Sequence, residues 1–98
     1  VAIVPVSGSL DLKALAVALS GKRAVMADPA VAERKTGYVV GGISPIGQRT
    51  QLRTVLDESA RDHSTVLVSG GRRGFDVELA PADLVLATGA VWSGIAKH

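Results

Sequence analysis

Ser69 closes a short apolar run, Thr65-Val66-Leu67-Val68, and opens the glycine-rich segment Gly70-Gly71-Arg72-Arg73-Gly74, with Asp76 just beyond it. A second segment of the same kind, Gly41-Gly42-Ile43-Ser44-Pro45-Ile46-Gly47, follows Tyr38-Val39-Val40. Glycine lets the main chain take left-handed angles and lets a ligand or a second backbone come close. A strand that ends in glycine and serine can aim several N–H groups at one point. That suits an anion, or the charge that develops on a carbonyl oxygen during acyl transfer. Pro45 stiffens the first segment where its glycines leave freedom. Arg72 and Arg73 could grip a phosphate with two prongs, or one of them could pair with Asp76 or Glu78 and serve structure alone. Either segment by itself reads as an ordinary turn. Two of them in one small chain, with cations close by, define a candidate site: Gly41, Gly42, Ile43, Ser44, Pro45, Ser69, Gly70, Gly71, Arg72 and Asp76.

Several chemistries are excluded or disfavoured. The sequence holds no cysteine, so it offers no disulfide, thiolate metal site or cysteine nucleophile. The histidines are His63 and His98, and a metal site built from both would need the chain terminus. His63 lies at the start of the strand that ends at Ser69. At about 3.3 Å per residue its ring is expected too far away to activate that serine. The nucleophile elbow is also absent, because Leu67 stands where its first glycine would be. Ser69 therefore reads either as a hydrogen-bonding group in a site or as a cap on the strand end. Asp76, the nearer acid to the glycines, could orient an amine or a loop amide, although Asp76 and Glu78 on one strand face also suit a solvated surface. Neither the dinucleotide fingerprint nor a phosphate-binding P-loop is present, which disfavours nucleotide hydrolysis. No cofactor is called for.

The elements that must position these residues follow from pattern. Val1–Val6 reads as a strand, with Pro5 near its end or at an edge. Leu12, Leu15, Ala16 and Leu19 recur at helical spacing, so a helix is expected over Asp11–Ser20, capped by Asp11, stapled by Leu10 on Leu15 and stopped by Gly21. Arg23–Ala27 reads as a short strand. Asp28-Pro29 starts a second helix that runs to about Lys35 and ends at Gly37. Tyr38–Val40 is a short β-like run that leads into the first glycine segment. A β-like run covers Leu52–Leu56, and Asp57–Ala60 is a turn or one helical turn. Thr65–Val68 is a strand, and Phe75–Leu79 alternates wet and dry faces. Pro81–Ala87 forms a third helix closed at Gly89, and Val91–Ala96 is an apolar tail that packs back on the core. The order implies one α/β or α+β domain over residues 1–98 with a mixed sheet.

A chain of 98 residues holds a single domain with a thin margin of buried surface. Apolar residues make up 47% and aromatic residues 3%, too few for a module that reads single strands by base stacking. Formal charge is +2, but its distribution is uneven: Arg34, Lys35, Arg49 and Arg53 fall in a stretch without acids between Glu33 and Asp57. If this stretch meets Arg72 and Arg73, one face becomes cationic enough to steer a polyanion. No apolar run approaches the roughly 20 residues of a membrane span, and no signal peptide is visible, so a cytoplasmic location is expected. Val1 opens directly on a strand pattern without a methionine, which suggests a piece of a longer protein.

Four stretches together carry a resemblance: Ala27-Asp28-Pro29, Glu33-Arg34-Lys35-Thr36-Gly37-Tyr38, Gly41-Gly42-Ile43-Ser44-Pro45-Ile46-Gly47-Gln48, and Val68-Ser69-Gly70-Gly71-Arg72-Arg73-Gly74-Phe75-Asp76-Val77-Glu78-Leu79. The chain resembles the YbaK/ProX family in order along essentially its whole length, and is most similar to the family's cysteine-specific members. The resemblance implies a mixed, partly barrel-like sheet with flanking helices. It implies a trans-editing hydrolase that removes a wrongly attached amino acid from tRNA, chiefly cysteine from proline tRNA, with prolyl-tRNA synthetase as a candidate partner. The family's Gly-x-x-x-Pro loop falls on Gly41–Pro45, whose amides would hold the aminoacyl carbonyl and terminal adenosine. Its site serine and aspartate match Ser69 and Asp76. In cysteine-specific members the substrate's own sulfur attacks its ester carbonyl, so no protein nucleophile is required. The family's site lysine lies on a strand upstream of the matched segment, and Lys13, Lys22, Lys35 and Lys97 do not occupy that motif. The chain is thus expected to be an N-terminally incomplete portion of such a domain, with an exposed sheet edge. The alternatives are a non-catalytic tRNA- or nucleotide-binding module and an inactive fragment.

Overall fold

The computed structural model describes residues 1–97. In chain order the elements are β1 (Ala2–Ile3), β2 (Ser9–Leu10), α1 (Leu12–Ala18), α2 (Pro29–Thr36) and β3 (Val55–Asp57). A 3₁₀ turn over Glu58–Asp62 follows, then β4 (Val66–Arg72), β5 (Phe75–Leu79), α3 (Pro81–Thr88), β6 (Val91–Ser93) and β7 (Ala96–Lys97). They make a parallel three-stranded sheet in the order β1-β3-β6 and two antiparallel pairs, β2-β7 and β4-β5. Parallel and antiparallel pairings both occur, in separate sheets, and none of them closes into a barrel among the described residues.

Strand β3 is the hub. Alternate residues of a strand face opposite ways, and here both faces are covered. Val55 (0% exposed) packs with Leu15 and Ile95, while Leu56 (2%) packs with Ala60, Val68, Leu84 and Ala90. The first cluster holds α1 and β2 on one side; the second holds α3 and the β4–β5 hairpin on the other. A strand buried on both faces must be apolar throughout, and β3 ends where Asp57 introduces a charge.

Asp57 is buried, yet all of its oxygens' work is inside the molecule. Oδ2 accepts from the Ser59 amide at 3.1 Å and from the Ser59 hydroxyl, and Oδ1 accepts from the amides of Ile95 (2.9 Å) and Ala96 (3.0 Å). One carboxylate thereby caps the 3₁₀ turn and fastens the chain between β6 and β7 onto the end of β3. Burial alone pushes this carboxyl up; the hydrogen bonds from Ser59, Ile95 and Ala96 outweigh it and hold it below its ordinary value.

Local signals account for the helix starts. Asp11 Oδ1 accepts from the amides of Lys13 and Ala14, both at 3.1 Å, and Leu10 packs in the same cluster as Leu15. Asp28 accepts from Val31 N at 3.3 Å with Pro29 opening α2. Gly37 and Gly89 close α2 and α3 with left-handed angles (φ 83° and 69°). At the end of α1 the left-handed residue is Ser20 (φ 57°), not Gly21; Gly21 N instead donates to Ala16 O at 2.8 Å. Two expected β segments are absent. Arg23–Ala27 and Tyr38–Val40 form no strand, because neither finds a ladder partner and both lie mostly exposed. The tail expected after Gly89 packs back on the core, and it does so as two strands, β6 and β7.

Replacing Asp57 by Asn removes the charge while keeping the size. Hydrogen bonds to a charged group are worth about 1.5–3 kcal/mol each, so Asp57→Asn should destabilise the fold by at least about 2 kcal/mol at neutral pH. Because the folded carboxyl titrates below its unfolded value of about 3.9, its stabilisation is fully present above that value and is lost as pH falls through the folded one. Urea midpoints of parent and variant should therefore converge in acid.

Candidate active site

Helix α2 delivers the first glycine segment. Its last residue, Thr36, donates its hydroxyl to Ala32 O at 2.7 Å and accepts from Tyr38 N at 3.2 Å. This turn brings Tyr38 across the segment, where its hydroxyl donates to Ile46 O at 2.7 Å and lies 3.3 Å from Gly47 O. Inside the segment, buried Ser44 accepts from Ile46 N at 3.1 Å, and Gln48 Nε2 donates to Ser44 O at 2.9 Å. The segment is thus a braced loop whose shape is set by three polar side chains.

The second glycine segment is mostly strand. Ser69 pairs with Asp76 and Arg72 with Phe75, so Gly70 and Gly71 bulge out and Arg73-Gly74 forms a two-residue turn. The Ser69 hydroxyl oxygen accepts from the Gly71 amide at 3.2 Å. Expectation and structure differ here because the alternation of β5 extends the ladder past Ser69 and carries the glycines with it.

The two segments touch, backbone against backbone. A Cβ on Gly42 would lie 2.5 Å from Arg72 Cα and 2.8 Å from Arg73 N. Around that contact, Arg73 Nε and Nη2 donate to Val40 O at 3.1 and 2.9 Å. Val40 N donates to Glu33 Oε2 at 2.7 Å, and the Tyr38 ring lies against Gly71, where a Cβ would stand 2.8 Å from Cε1. Tyr38 and Gln48 therefore shape the site although the sequence did not place them in it, and Arg73, expected to grip a phosphate or pair with an acid, instead ties the hairpin to Val40. Their one visible signal was polarity inside or beside a glycine run.

Below this junction an apolar cleft runs between β1 and β4. It widens into a cavity of about 590 Å³ toward Pro5, His63 and Asp76, and into one of about 270 Å³ toward Ile43, Pro45 and Gln48. Ser69 lines both, together with Ile3, Val4, Leu67 and Val68. Of the expected site residues, Ser69, Asp76, Ile43 and Pro45 line the cleft. Gly41, Gly42, Ser44, Gly70, Gly71 and Arg72 do not; they build its wall or its surroundings. Exposed Arg72 lies over the Phe75 ring, 5.2 Å from its centre.

Main-chain donors are divided. Gly42 N is committed to Val39 O at 2.9 Å and Gly71 N to Ser69. The amides of Gly41, Ile43 and Ser44 have no intramolecular partner among the described residues. Because Ser69 Oγ already accepts from Gly71, its own hydrogen is available to donate into the cleft. No imidazole or carboxylate is hydrogen-bonded to Ser69 among the described residues, and the acid Glu78 is engaged by the Thr65 hydroxyl at 2.8 Å. Among those residues no cluster of His, Asp and Glu could hold a metal ion. The arrangement can bind and polarise a carbonyl but brings no activated nucleophile.

Gly42→Ala should pry the junction apart, since its methyl meets main chain that cannot rotate away; overpacking of this kind costs about 1–3 kcal/mol. Gly74→Ala is the control, because nothing lies within 4 Å and only the left-handed angle (φ 76°) opposes it. Thermal unfolding of the two variants should rank Gly42→Ala as the more damaging, and it alone should alter the near-ultraviolet signal of Tyr38.

Comparison with known proteins agrees with this architecture. The family model described as the aminoacyl-tRNA editing domain matches residues 1–86. A relative from Enterococcus faecalis (strain ATCC 700802 / V583), provisionally named Cys-tRNA(Pro)/Cys-tRNA(Cys) deacylase EbsC, is 41% identical over 95 residues, which is 97% of this chain and 58% of the relative. A crystal structure described as a provisional trans-editing enzyme for prolyl tRNA synthetase superposes with a TM-score of 0.88 at 26% identity, covering 99% of this chain and 61% of that one. The structure of the protein APE2540 gives 0.86 at 26% identity, covering 98% and 63%. The chain thus spans less than two thirds of the length of these relatives. No helix among the described residues is long and apolar enough to cross a membrane. The match over residues 1–86, together with the relative at 41% identity, shows that the chain belongs to the aminoacyl-tRNA editing domain family.

Proposed function

We propose that the protein is a trans-editing hydrolase that deacylates mischarged tRNA, with Cys-tRNA(Pro) as the leading substrate, acting in the cytoplasm alongside prolyl-tRNA synthetase. The observation that carries the reading is Ser69 at the meeting point of two cavities beneath the joined glycine segments. The names of the relatives point the same way. In this reading the terminal adenosine and the esterified amino acid divide the cleft, and the ester carbonyl lies at Ser69. The Ser69 hydroxyl and the open amide of Ile43, the residue of the Gly41–Ser44 stretch that lines the cleft, donate to the oxygen as it gains charge. Asp76, directly across from Ser69, receives the substrate's α-ammonium group.

That no base is hydrogen-bonded to Ser69 among the described residues favours help from the substrate. The cysteinyl sulfur attacks its own carbonyl carbon, the carbon–ribose oxygen bond breaks, and the thiol proton ends on the departing ribose oxygen. Water then opens the thiolactone to free cysteine. The protein's share is to fold the substrate into the reacting conformation and to stabilise the oxyanion, which is positioning plus electrostatics.

Release of amino acid from charged proline tRNA tests the reading. Ser69→Ala should lower kcat by about 10²–10³, equivalent to about 2.7–4 kcal/mol. Asp76→Asn should chiefly raise KM, by roughly tenfold, or about 1.4 kcal/mol. Alanine on the same tRNA, lacking sulfur, should be released far more slowly than cysteine. Binding of tRNA with no release of any amino acid would instead support a non-catalytic RNA-binding module.

A further inference from the structure

The fold gathers cations that are scattered in sequence. Arg34 and Lys35 occupy the last turn of α2, where the helix dipole tolerates positive charge. The chain returning from the first glycine segment is sewn onto that turn: Arg49 N donates to Thr36 O at 2.8 Å and Thr50 N to Lys35 O at 2.9 Å. Arg49 consequently lies against Gly37, and its Nη1 is 3.4 Å from Arg34 O. From there the surface continues through Val40 to Arg73, whose guanidinium holds the Val40 carbonyl, and to Arg72 beside Gly42. All five cationic residues are exposed.

Little among the described residues balances them. From Arg34 to Leu56 the sequence has no acid, and the carboxylate of Glu33, which accepts from Val40 N, offsets one of the five charges. The hydrogen bonds made by Arg49 and Arg73 go to main-chain carbonyls, which leave the charge intact. The helix dipole accounts for Arg34 and Lys35 but not for drawing Arg49, Arg72 and Arg73 to the same place. Collected like charges repel, and a multivalent anion relieves that repulsion. The same 41–48 segment that carries one edge of this ridge also supplies Ile43, Pro45 and Gln48 to the cleft.

We propose that the ridge formed by Arg34, Lys35, Arg49, Arg72 and Arg73 docks the phosphate backbone of the RNA stem adjoining the acceptor end, so that the terminal nucleoside enters the cleft beside it. The identity of the anion rests on the deacylase reading; the ridge itself does not. Contacts of this kind fix register without reading sequence, and they leave choice of amino acid to the cleft.

The experiment uses Arg34→Gln/Lys35→Gln/Arg49→Gln, with Arg34→Lys/Arg49→Lys as the charge-keeping partner. Arg73 stays because it also ties Val40. Binding of uncharged tRNA is followed by fluorescence anisotropy from low to high salt. Each lost phosphate contact should flatten the log–log salt slope by about 0.9, so the triple variant should lose roughly 2–3 in slope and at least tenfold in affinity, and the lysine variant should keep both. Deacylation is read on two substrates. The KM for mischarged tRNA should rise at least tenfold, while turnover of a cysteinyl ester of adenosine stays unchanged. Unaltered tRNA affinity and slope in the triple variant would overturn the ridge. So would displacement of tRNA by polyglutamate as readily as by RNA, which would assign the surface to an acidic protein. If the parent cleaves neither substrate while the slope still depends on these three residues, the ridge stands and the deacylase reading fails.

Discussion

Backbone meets backbone where Gly42 lies on Arg72 and Arg73, and the candidate site depends on that contact. No side chain separates the two segments, so the loop that leaves α2 and the hairpin of β4 and β5 share a single wall. Everything near it serves to keep the wall closed. Arg73 grips Val40, Glu33 holds the Val40 amide, and Tyr38 bridges from the Ile46 carbonyl to the face of Gly71. These hydrogen bonds and the Tyr38 ring contact substitute for the regular secondary structure that residues 38–54 lack.

The scaffold beneath is organised around one strand. With Val55 and Leu56 packed to opposite sides, β3 couples α1 to α3, and Asp57 at its end ties in the C-terminal strands. Val68 joins the Leu56 cluster, and the next residue is Ser69. The serine is therefore one residue from the core, which fixes its position more firmly than a loop could. The role proposed for Ser69 and the packing of Val68 thus fall on neighbouring positions of one strand, both beside the cleft.

Much of this was legible in the sequence. Asp11, Asp28 and Pro29 announce helix starts through chemistry that acts within four residues, and the alternation of Phe75–Leu79 declares its strand. Ser69, Asp76 and the glycine segments stand out because glycine and serine beside β-branched runs are informative locally. The failures share one cause. Arg23–Ala27 and Tyr38–Val40 have strand-like composition, but a strand needs a partner, and partnership is settled by the whole fold. Conversely, the extension of β4 through Gly70 and Gly71 comes from the pull of β5 opposite. The struts formed by Tyr38, Gln48 and Arg73 are decided by contacts that pairwise spacing along the chain cannot show.

The cleft runs between β1 and β4, which belong to different sheets and share no ladder. Its width is therefore governed by how tightly Leu56, Val68 and their neighbours mesh, since no row of peptide bonds pins the two walls at a set spacing. Such a seam can open or narrow by fractions of an ångström when a methyl group is gained or lost deep in the interior. Under the proposed function, selectivity for an acyl group would consequently drift through substitutions that never touch a substrate, with the polar groups at the rim left untouched.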